Sequence, residues 1–593
     1  MRTLPNNWPS SAHYQGIQFV SQIFDEMFFD YTADSYRTPA LSTLHRAYEG
    51  HLATQQIIQQ ALNPVSVKPI VQEMIYSLKN DPISKSILKN RTDFICQRLT
   101  KAQEKPKDAR DLFAYARDNL DDSYALTAKR LLKEAIHTPH HKEHTQKLCR
   151  EFGAYLINIG YTRQYIRHII NEILLTGDPN QREPDQLLEE FLSCFTEDVF
   201  NFTTYVWVEN KFKQYLNQFS SLDFTEIRLA DLDNNIKNKS RSFFQNRKGK
   251  SLLYAEDIEE KDPAAARNFV STMLHVNRSF IYSINPESGF SWDERIFVHE
   301  PKNNIGSPLG QHQAPLLRRS SVSSKEATAR TERRIDTIFK HLNKNSQQQV
   351  FRALTSFSNA FNSESLETQF VSVWSSLEVL LPDPSENARI VTYVEYVTAC
   401  SGIYYSYRNF SWLFSDLKTS YDRAFLELLK EDKNFESDIG KFISIMCTTE
   451  HESTRLKLCE LVADNPLALW RLHLLHESHK TPASINKFIK RHTERVAWQI
   501  HRIYRTRNSL LHSGQRLPYL DSVLMNVQEY FSNIIDALED RSKIRLSPSH
   551  KDTILTEISF DLRFLEERLR EGGDSRINQQ DILNFVWLPG ENF

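Results

Sequence analysis

Glycine is scarce in this chain: 15 of the 593 residues are glycine, whereas about 7% is usual. Few glycines leave few positions for turns with positive φ and for loops that cradle phosphates. The scarcity disfavours a hairpin-rich all-β fold and a nucleotide-binding fold built on a glycine-rich loop. Because 40% of the residues are hydrophobic and 25% are charged, large cores are expected and global disorder is excluded. The composition predicts a mainly α protein.

Several motifs are missing as well. The six cysteines are widely spaced without a Cys-x-x-Cys pair, so neither a zinc ribbon nor a redox motif is indicated. Residues 1–14 contain no apolar segment typical of a signal peptide, and no run of about 18 apolar residues predicts a membrane span. Walker-type loops, Gly-x-Ser-x-Gly elbows and His-Glu-x-x-His motifs are also absent. We therefore expect a soluble cytoplasmic protein without a membrane partner, a metal site or a cofactor.

Hydrophobic periodicity divides the chain into five segments. Residues 1–198 show helical spacing and predict an N-terminal helical region. Residues 199–301 are richer in β-branched and aromatic runs and predict a small α+β module. Residues 302–328 lack periodicity and predict a linker or mobile loop. Helical patterning resumes over residues 329–545 and returns in a C-terminal helical tail over residues 546–593.

The strands of the α+β module are predicted from short runs of β-branched and aromatic residues. These runs are Phe202–Val208, Phe224–Leu229, Ser279–Ile284 and Arg295–Val298. A helix is expected between the strands, over Ala264–Leu274.

A net charge of −2 conceals one strongly basic segment, Lys480–Arg516, which holds nine arginine or lysine residues and a single acid, Glu494. This density of positive charge attracts phosphates and accelerates association with nucleic acid. The other interpretation is a helix face that pairs with an acidic segment elsewhere, and charge alone does not separate the two. The candidate RNA-binding residues of this segment are Lys487, Lys490, Arg491, Arg495, Arg502, Arg505 and Arg516.

A long helix is expected over Ser484–Ser513, with Gly514 as its C-terminal cap. At helical spacing, Arg507 falls within the apolar stripe, where the pattern calls for leucine or isoleucine. A charge at such a position is costly unless it is paired or lies at an interface. Asn508 and His512 belong to the neighbouring polar stripe. One interpretation is a functional group at the helix end; the other is an interhelical ion pair made by Arg507, with His512 as a cation near the helix C-terminus.

Two segments carry a resemblance to a known family. Tyr504–Gly514 (YRTRNSLLHSG) resembles the signature of the HEPN superfamily, an arginine followed after four to six residues by a histidine, often with a polar residue directly after the arginine. The spacing alone is common in this chain, for example at Arg163 and His168. Phe370–Leu381 (FVSVWSSLEVLL) is similar to the Trp-x-x-Leu-Glu-x-Leu segment of ApeA-like HEPN domains, which occur in bacterial anti-phage proteins. The resemblance covers about residues 330–545 and implies a C-terminal HEPN helical bundle.

The family implies a metal-independent endoribonuclease. In that chemistry His512 is the general acid or base, and Arg507 holds the phosphate during attack by the RNA 2′-hydroxyl. Asn508 orients His512 or the phosphate, and Glu378 is a further candidate that a structural ion pair would explain equally well. Two such motifs usually meet across a dimer in this family, which implies RNA as substrate and a homodimer through the Ser484–Ser513 helix.

Three functions stay open at this point. The first is a ribonuclease effector of anti-phage defence, in which the first 300 residues sense a phage-derived trigger, bind a regulatory protein or restrain the nuclease. The second is a non-catalytic HEPN scaffold that binds nucleic acid or a protein partner. The third is a toxin that is silenced by an enzyme encoded beside it.

Overall fold

The computed structural model describes most of the chain. The described residues are 12–29, 32–33, 37–176, 182–212, 224–285, 289–310, 324–363, 365–383, 389–513, 517–578 and 581–586. They form helices along most of their length and one antiparallel sheet in the middle of the chain. The expected fold class, mainly α with a small α+β module, is confirmed. No helix within these residues is long and apolar enough to cross a membrane.

The N-terminal helices are short and amphipathic, and side-chain caps start several of them. Ser42 accepts a hydrogen bond from the backbone N–H of His45, and Asp81 accepts from Ile83 and Ser84; both satisfy amide groups that a helix leaves without partners at its start. The helices are α1 (Gln15–Phe28), α2 (Thr43–Ile58), α3 (Val67–Asn80), α4 (Pro82–Leu88), α5 (Arg91–Lys101), α6 (Pro106–Leu120), α7 (Tyr124–Ile136), α8 (Lys142–Asn158), α9 (Arg163–Ile169) and α10 (Pro184–Ser193). Most of them contribute to one compact unit with the C-terminal helices.

The C-terminal helices are longer, as the hydrophobic periodicity predicts. They are α13 (Ser324–His341), α14 (Lys344–Phe361), α15 (Leu366–Leu380), α16 (Arg389–Ile403), α17 (Tyr405–Leu429), α18 (Asp438–Cys447), α19 (Glu452–Leu461), α20 (Pro466–His479), α21 (Pro482–Ser513), α22 (Leu520–Lys543), α23 (Lys551–Gly572) and α24 (Ile582–Phe585). Phe370, Trp374 and Leu377 of α15 are fully buried in a core shared by these helices. Helix α23 ends at Gly573, whose φ of +56° is a backbone conformation that residues other than glycine rarely adopt.

The sheet belongs to the module that lies between these two groups of helices in the sequence. Its strands are β1 (Phe200–Glu209), β2 (Thr225–Glu226), β3 (Lys250–Glu260), β4 (Ile296–Glu300) and β5 (Ile305–Leu309), in the order β2-β3-β1-β4-β5. A short helix, α11 (Asn234–Lys239), precedes β3, and a long one, α12 (Pro263–Ile284), follows it. Alternate residues of β1 lie on opposite faces: Val206 and Val208 pack with α12, and Tyr205 and Trp207 pack against Phe243.

The chain folds into two compact units whose boundaries differ from the predicted segments. The larger unit combines residues 1–155, 178–188 and 314–593, and the smaller one combines residues 156–177 and 189–313. The N-terminal helices and the C-terminal helices therefore form one unit, whereas the periodicity predicts separate segments. Helix α23, in the predicted tail, likewise contributes Ile554 and Leu555 to the core of the other C-terminal helices.

Two local predictions for the module differ from the structure. The predicted strand Ser279–Ile284 is wrong, because this segment forms the last turns of α12. The β-branched and aromatic residues of this segment favour a strand, but two other features favour the helix. Asp262 caps its start, and Val270, Leu274 and Ile281 lie buried on one of its faces. Strand β5 lies inside the predicted linker 302–328, and α13 begins before the end of it. Residues 311–323 of that linker lie outside the described residues.

Candidate active site

Helix α21 carries most of the candidate site residues, and its sequence explains both its start and its inner face. At the start, Thr481 Oγ1 accepts a hydrogen bond from Ser484 N at 3.2 Å, and Ser484 Oγ accepts one from Thr481 N at 3.1 Å; such reciprocal capping satisfies two free amide groups. Val496, Ile500 and Ile503 are fully buried in the core, as the apolar stripe predicts. The predicted helix over Ser484–Ser513 is confirmed.

In the middle of α21, two arginines are engaged in buried ion pairs. Arg502 Nη2 lies 2.9 Å from Glu49 Oε2 in α2 and 2.7 Å from Glu73 Oε2 in α3. Arg505 Nη2 lies 2.8 Å from Glu49 Oε1. Arg46 of α2 completes the cluster, with its Nε 3.1 Å from Glu73 Oε1. Arg502 is 2% exposed and Arg505 is 6% exposed. These two predicted RNA-binding side chains are therefore buried and bind carboxylates of the same chain.

The cluster shifts the ionisation of its members. Burial by itself would raise the pKa of Glu49 and of Glu73, but the neighbouring arginines together outweigh it and hold both pKa values below their ordinary range: Arg502 and Arg505 act on Glu49, and Arg502 and Arg46 act on Glu73. Next to the cluster, burial lowers the pKa of His501 to about 4, and the charge of Arg505 adds to the effect. At neutral pH both glutamates are ionised and His501 is uncharged.

Nearer the start of α21, Arg491 and Arg495 converge on one phenol oxygen. Arg491 donates from Nε at 2.9 Å and from Nη2 at 2.6 Å to the Tyr76 hydroxyl, and Arg495 donates from Nη2 at 3.0 Å. Both guanidinium groups also lie over the Tyr76 ring. Lys487 and Lys490, by contrast, are exposed, so these two predicted RNA-binding residues reach solvent.

The end of α21 carries the group that resembles the HEPN signature. Arg507 Nη1 donates to Asn508 Oδ1 at 3.2 Å, and both residues are half-buried. The buried Nε of Arg507 has no hydrogen-bond acceptor among the described residues. The backbone of His512 is helical and follows Asn508 by four residues, one helical turn. The His512 side chain, the predicted cap Gly514 and the candidate Arg516 lie outside the described residues.

The second segment of the resemblance packs beside α21. The Trp374 ring of α15 lies 5.7 Å from the Tyr393 ring of α16 and 6.2 Å from the Tyr504 ring of α21. Glu378, one turn after Trp374, is half-buried. Burial raises the pKa of Tyr393 to about 12, and the charge of Glu378 contributes, which places this carboxylate near the aromatic contact. The described hydrogen bonds and ion pairs include none between Glu378 and Arg507.

No protein-family model, curated protein or solved structure matches this chain. Within the part of the chain that the structure describes, no group of three or more His, Cys, Asp or Glu side chains is arranged to hold a metal ion. The chemistry of the site is therefore inferred from its own residues.

The sequence indicates the arginines of α21 but not the residues that bind them. Glu49, Glu73 and Tyr76 lie on two N-terminal helices more than 400 positions away from their partners. A glutamate and a tyrosine on amphipathic helices are ordinary surface residues by their local pattern. An acidic partner for the basic segment was one of the two interpretations of its charge, but no local signal identifies which carboxylates are involved.

Proposed function

We propose that this protein is a metal-independent endoribonuclease of the HEPN type that acts in bacterial anti-phage defence. Arg507, Asn508 and His512 would form its catalytic group. The observation that carries the proposal is the difference between the arginines of α21: Arg502 and Arg505 are bound by carboxylates, whereas the described contact of Arg507 is with the neutral amide of Asn508. Such a guanidinium is suited to bind an anion that is not part of the described chain.

The chemistry would proceed by attack of an RNA 2′-hydroxyl on the adjacent phosphorus. His512 would remove the hydroxyl proton, and the departing 5′-oxygen would be protonated by a general acid, leaving a 2′,3′-cyclic phosphate and a 5′-hydroxyl. Arg507 would stabilise the charge that builds on the non-bridging phosphate oxygens. Asn508 accepts a hydrogen bond from Arg507 and would hold the guanidinium in position. Glu378 is not required in this scheme.

RNA would approach along the exposed positive charges of α21. Lys487 and Lys490 reach solvent and are the described candidates for sequence-independent contacts with the RNA backbone. Arg502 and Arg505 are not retained in this role, because Glu49 and Glu73 neutralise them. Arg516 stays a candidate by sequence alone.

The proposal includes a homodimer and a regulatory role for the N-terminal helices. The middle of α21 is covered by α2 and α3 of the same chain through the Arg502 cluster. A second copy would therefore meet the helix near Arg507, where two catalytic groups would be combined. The N-terminal helices bind the nuclease helix directly, so a trigger or protein partner that moves them would change its position. The compartment we propose is the cytoplasm, where RNA is available.

The test is cleavage of a labelled RNA by the purified full chain in the presence of EDTA. Wild-type protein should produce 2′,3′-cyclic phosphate ends, and His512→Ala and Arg507→Ala should each reduce the rate at least 100-fold, as general acid–base catalysis and oxyanion stabilisation typically contribute about 10²–10⁴-fold. His168→Ala is the matched control, since exposed His168 follows Arg163 at the same spacing but lies on another helix. Cleavage by His512→Ala at the wild-type rate would refute the assignment.

A non-catalytic scaffold is the alternative, and the buried ion pairs of α21 favour it. Those pairs give the basic helix a structural role that needs no RNA. On this alternative, RNA would stay intact with wild-type protein, with or without any partner, and Arg507→Ala would lower the melting temperature. An unchanged melting temperature together with lost cleavage would instead support the catalytic role.

A further inference from the structure

A large, partly open cavity lies between the N-terminal helices and α21, and Arg507 is not among the residues that line it. Its volume is about 570 Å³, within the range of small-molecule sites. Its walls come from α3 and α8 on one side and from α17, α20 and α21 on the other. All of these walls belong to the larger compact unit. The cavity therefore lies inside a single folded body.

The cavity is strongly basic. Nine arginine or lysine residues line it, against five aspartate or glutamate residues. Some of these charges neutralise one another: Arg471, for example, pairs with Glu26 at 2.6 Å and with Asp416 at 2.9 Å. Arg491 and Arg495 differ from Arg471, because their described hydrogen bonds go to the neutral hydroxyl of Tyr76 and not to a carboxylate.

The two guanidinium groups at Tyr76 place positive charge in the cavity beyond what its carboxylates balance. Arg491 and Arg495 together donate three hydrogen bonds to the single hydroxyl of Tyr76. Arg150 of α8 lies beside them, and burial together with the charge of Arg495 lowers its pKa to about 10. Among the nearby carboxylates, Glu143 is bound by Lys147 at 2.7 Å and also interacts with the charge of Arg491. A phosphate carries full negative charge and accepts bidentate hydrogen bonds from guanidinium groups, so it would be a better acceptor than the neutral phenol.

Aromatic rings flank this group of arginines on two sides. Trp498 packs against Tyr76 with ring centroids 5.3 Å apart. Tyr405 stacks on Phe488 at 4.7 Å and on His492 at 3.6 Å. Apolar ring faces can stack on the planar ring of a ligand while guanidinium groups beside them hold its phosphate. Tyr405 is itself buried, so the half-buried Trp498 and Phe488 are the rings that a ligand would meet. This combination favours a ligand that has both groups.

We propose that this cavity binds a small phosphorylated molecule with an aromatic ring, of the nucleoside phosphate class, through Arg491, Arg495 and the surrounding aromatic side chains. The phosphate would take the place of the Tyr76 hydroxyl as the acceptor of the guanidinium donors. The ring would stack on the aromatic walls. The ligand would join α3 and α8 to α21. The proposal does not depend on the nuclease assignment, because the site is defined by binding alone.

The test is isothermal titration calorimetry of the full chain with three probes: ADP, pyrophosphate and adenosine. ADP should bind more tightly than either pyrophosphate or adenosine. The Arg491→Ala/Arg495→Ala variant should weaken ADP binding by roughly 10- to 100-fold, since each lost charge-assisted hydrogen bond typically costs a factor of about ten. Lys490→Ala, which removes an exposed charge outside the cavity wall, should bind ADP like wild type.

A more conservative substitution separates a loss of binding from a loss of folding. Arg495→Gln keeps a neutral donor for Tyr76 but removes the charge, and circular dichroism checks that both variants fold. A correctly folded Arg495→Gln protein should bind ADP about tenfold more weakly. The proposal is overturned if no ADP binding is seen up to about 1 mM, or if both variants bind it like wild type. If pyrophosphate binds as tightly as ADP, the proposed stacking of a ligand ring is wrong, and the cavity binds an inorganic phosphate.

Discussion

The buried charge cluster around Arg502 should make a large, measurable contribution to the stability of the larger unit. Arg502→Met removes the guanidinium that contacts both Glu49 and Glu73 within 3 Å; Arg505 still contacts Glu49, and Arg46 still contacts Glu73. Removing one member of a buried ion pair typically costs about 3–5 kcal/mol when the remaining charge is uncompensated, and this range is the upper bound here because Arg505 and Arg46 still balance part of the charge. Methionine keeps most of the side-chain volume, so loss of packing adds little.

The loss can be converted to a melting temperature. The larger unit has about 450 residues, and the entropy of unfolding near 60 °C is about 2.1 cal/mol/K per residue. A loss of about 3–5 kcal/mol then lowers the melting temperature of this unit by about 3–5 °C. Differential scanning calorimetry of the full chain measures it, with Lys490→Met as the control that removes an exposed charge from the same helix.

The pH dependence gives an independent check of the cause. The pKa of Glu49 is lowered in the folded state by Arg502 and Arg505, so its contribution to stability is full above the unfolded-state pKa of about 4.5 and is lost as the pH falls through the folded-state value. Without Arg502 the carboxylates gain protons more readily, so the difference between variant and wild type should be smaller at pH 5 than at pH 7. An Arg502→Met protein that melts within about 1 °C of the control at pH 7 would refute the reasoning.

Two further predictions concern the packing and the ionisation of the same unit. Gly50→Ala should cost about 1–3 kcal/mol, because the added Cβ would lie 2.5 Å from the Phe113 ring; equilibrium denaturation measures the loss, and Phe113→Leu in the same chain should recover part of it. Burial lowers the pKa of His479, which contacts Ser406 at 3.0 Å, to about 4. The free energy of unfolding should therefore fall by up to about 3 kcal/mol as the pH drops from 6.5 to 4; a His479→Gln variant with the same pH dependence as wild type would contradict this.

The amino-acid sequence determined the helices of the C-terminal part closely. Helix α21 begins two residues before its predicted start, at Pro482, and ends as predicted at Ser513. Val496, Ile500 and Ile503 of its apolar stripe are buried as expected. These features depend on residues within one or two turns of each other, such as the Thr481–Ser484 cap, so a local pattern is sufficient to predict them. The composition likewise predicts the mainly α fold.

Only the tertiary structure decided which charges of that helix meet a partner. The sequence shows Arg502, Arg505 and Arg507 as three arginines within six positions, equally suited to RNA or to an ion pair. Their environments differ because Glu49 and Glu73, 429 to 456 positions earlier in the chain, fold against the first two. The same long-range packing creates the cavity around Tyr76 and joins the N-terminal helices to the C-terminal ones in one unit. Contacts of this kind depend on how whole helices pack, and periodicity within a single helix carries no information about its distant partner.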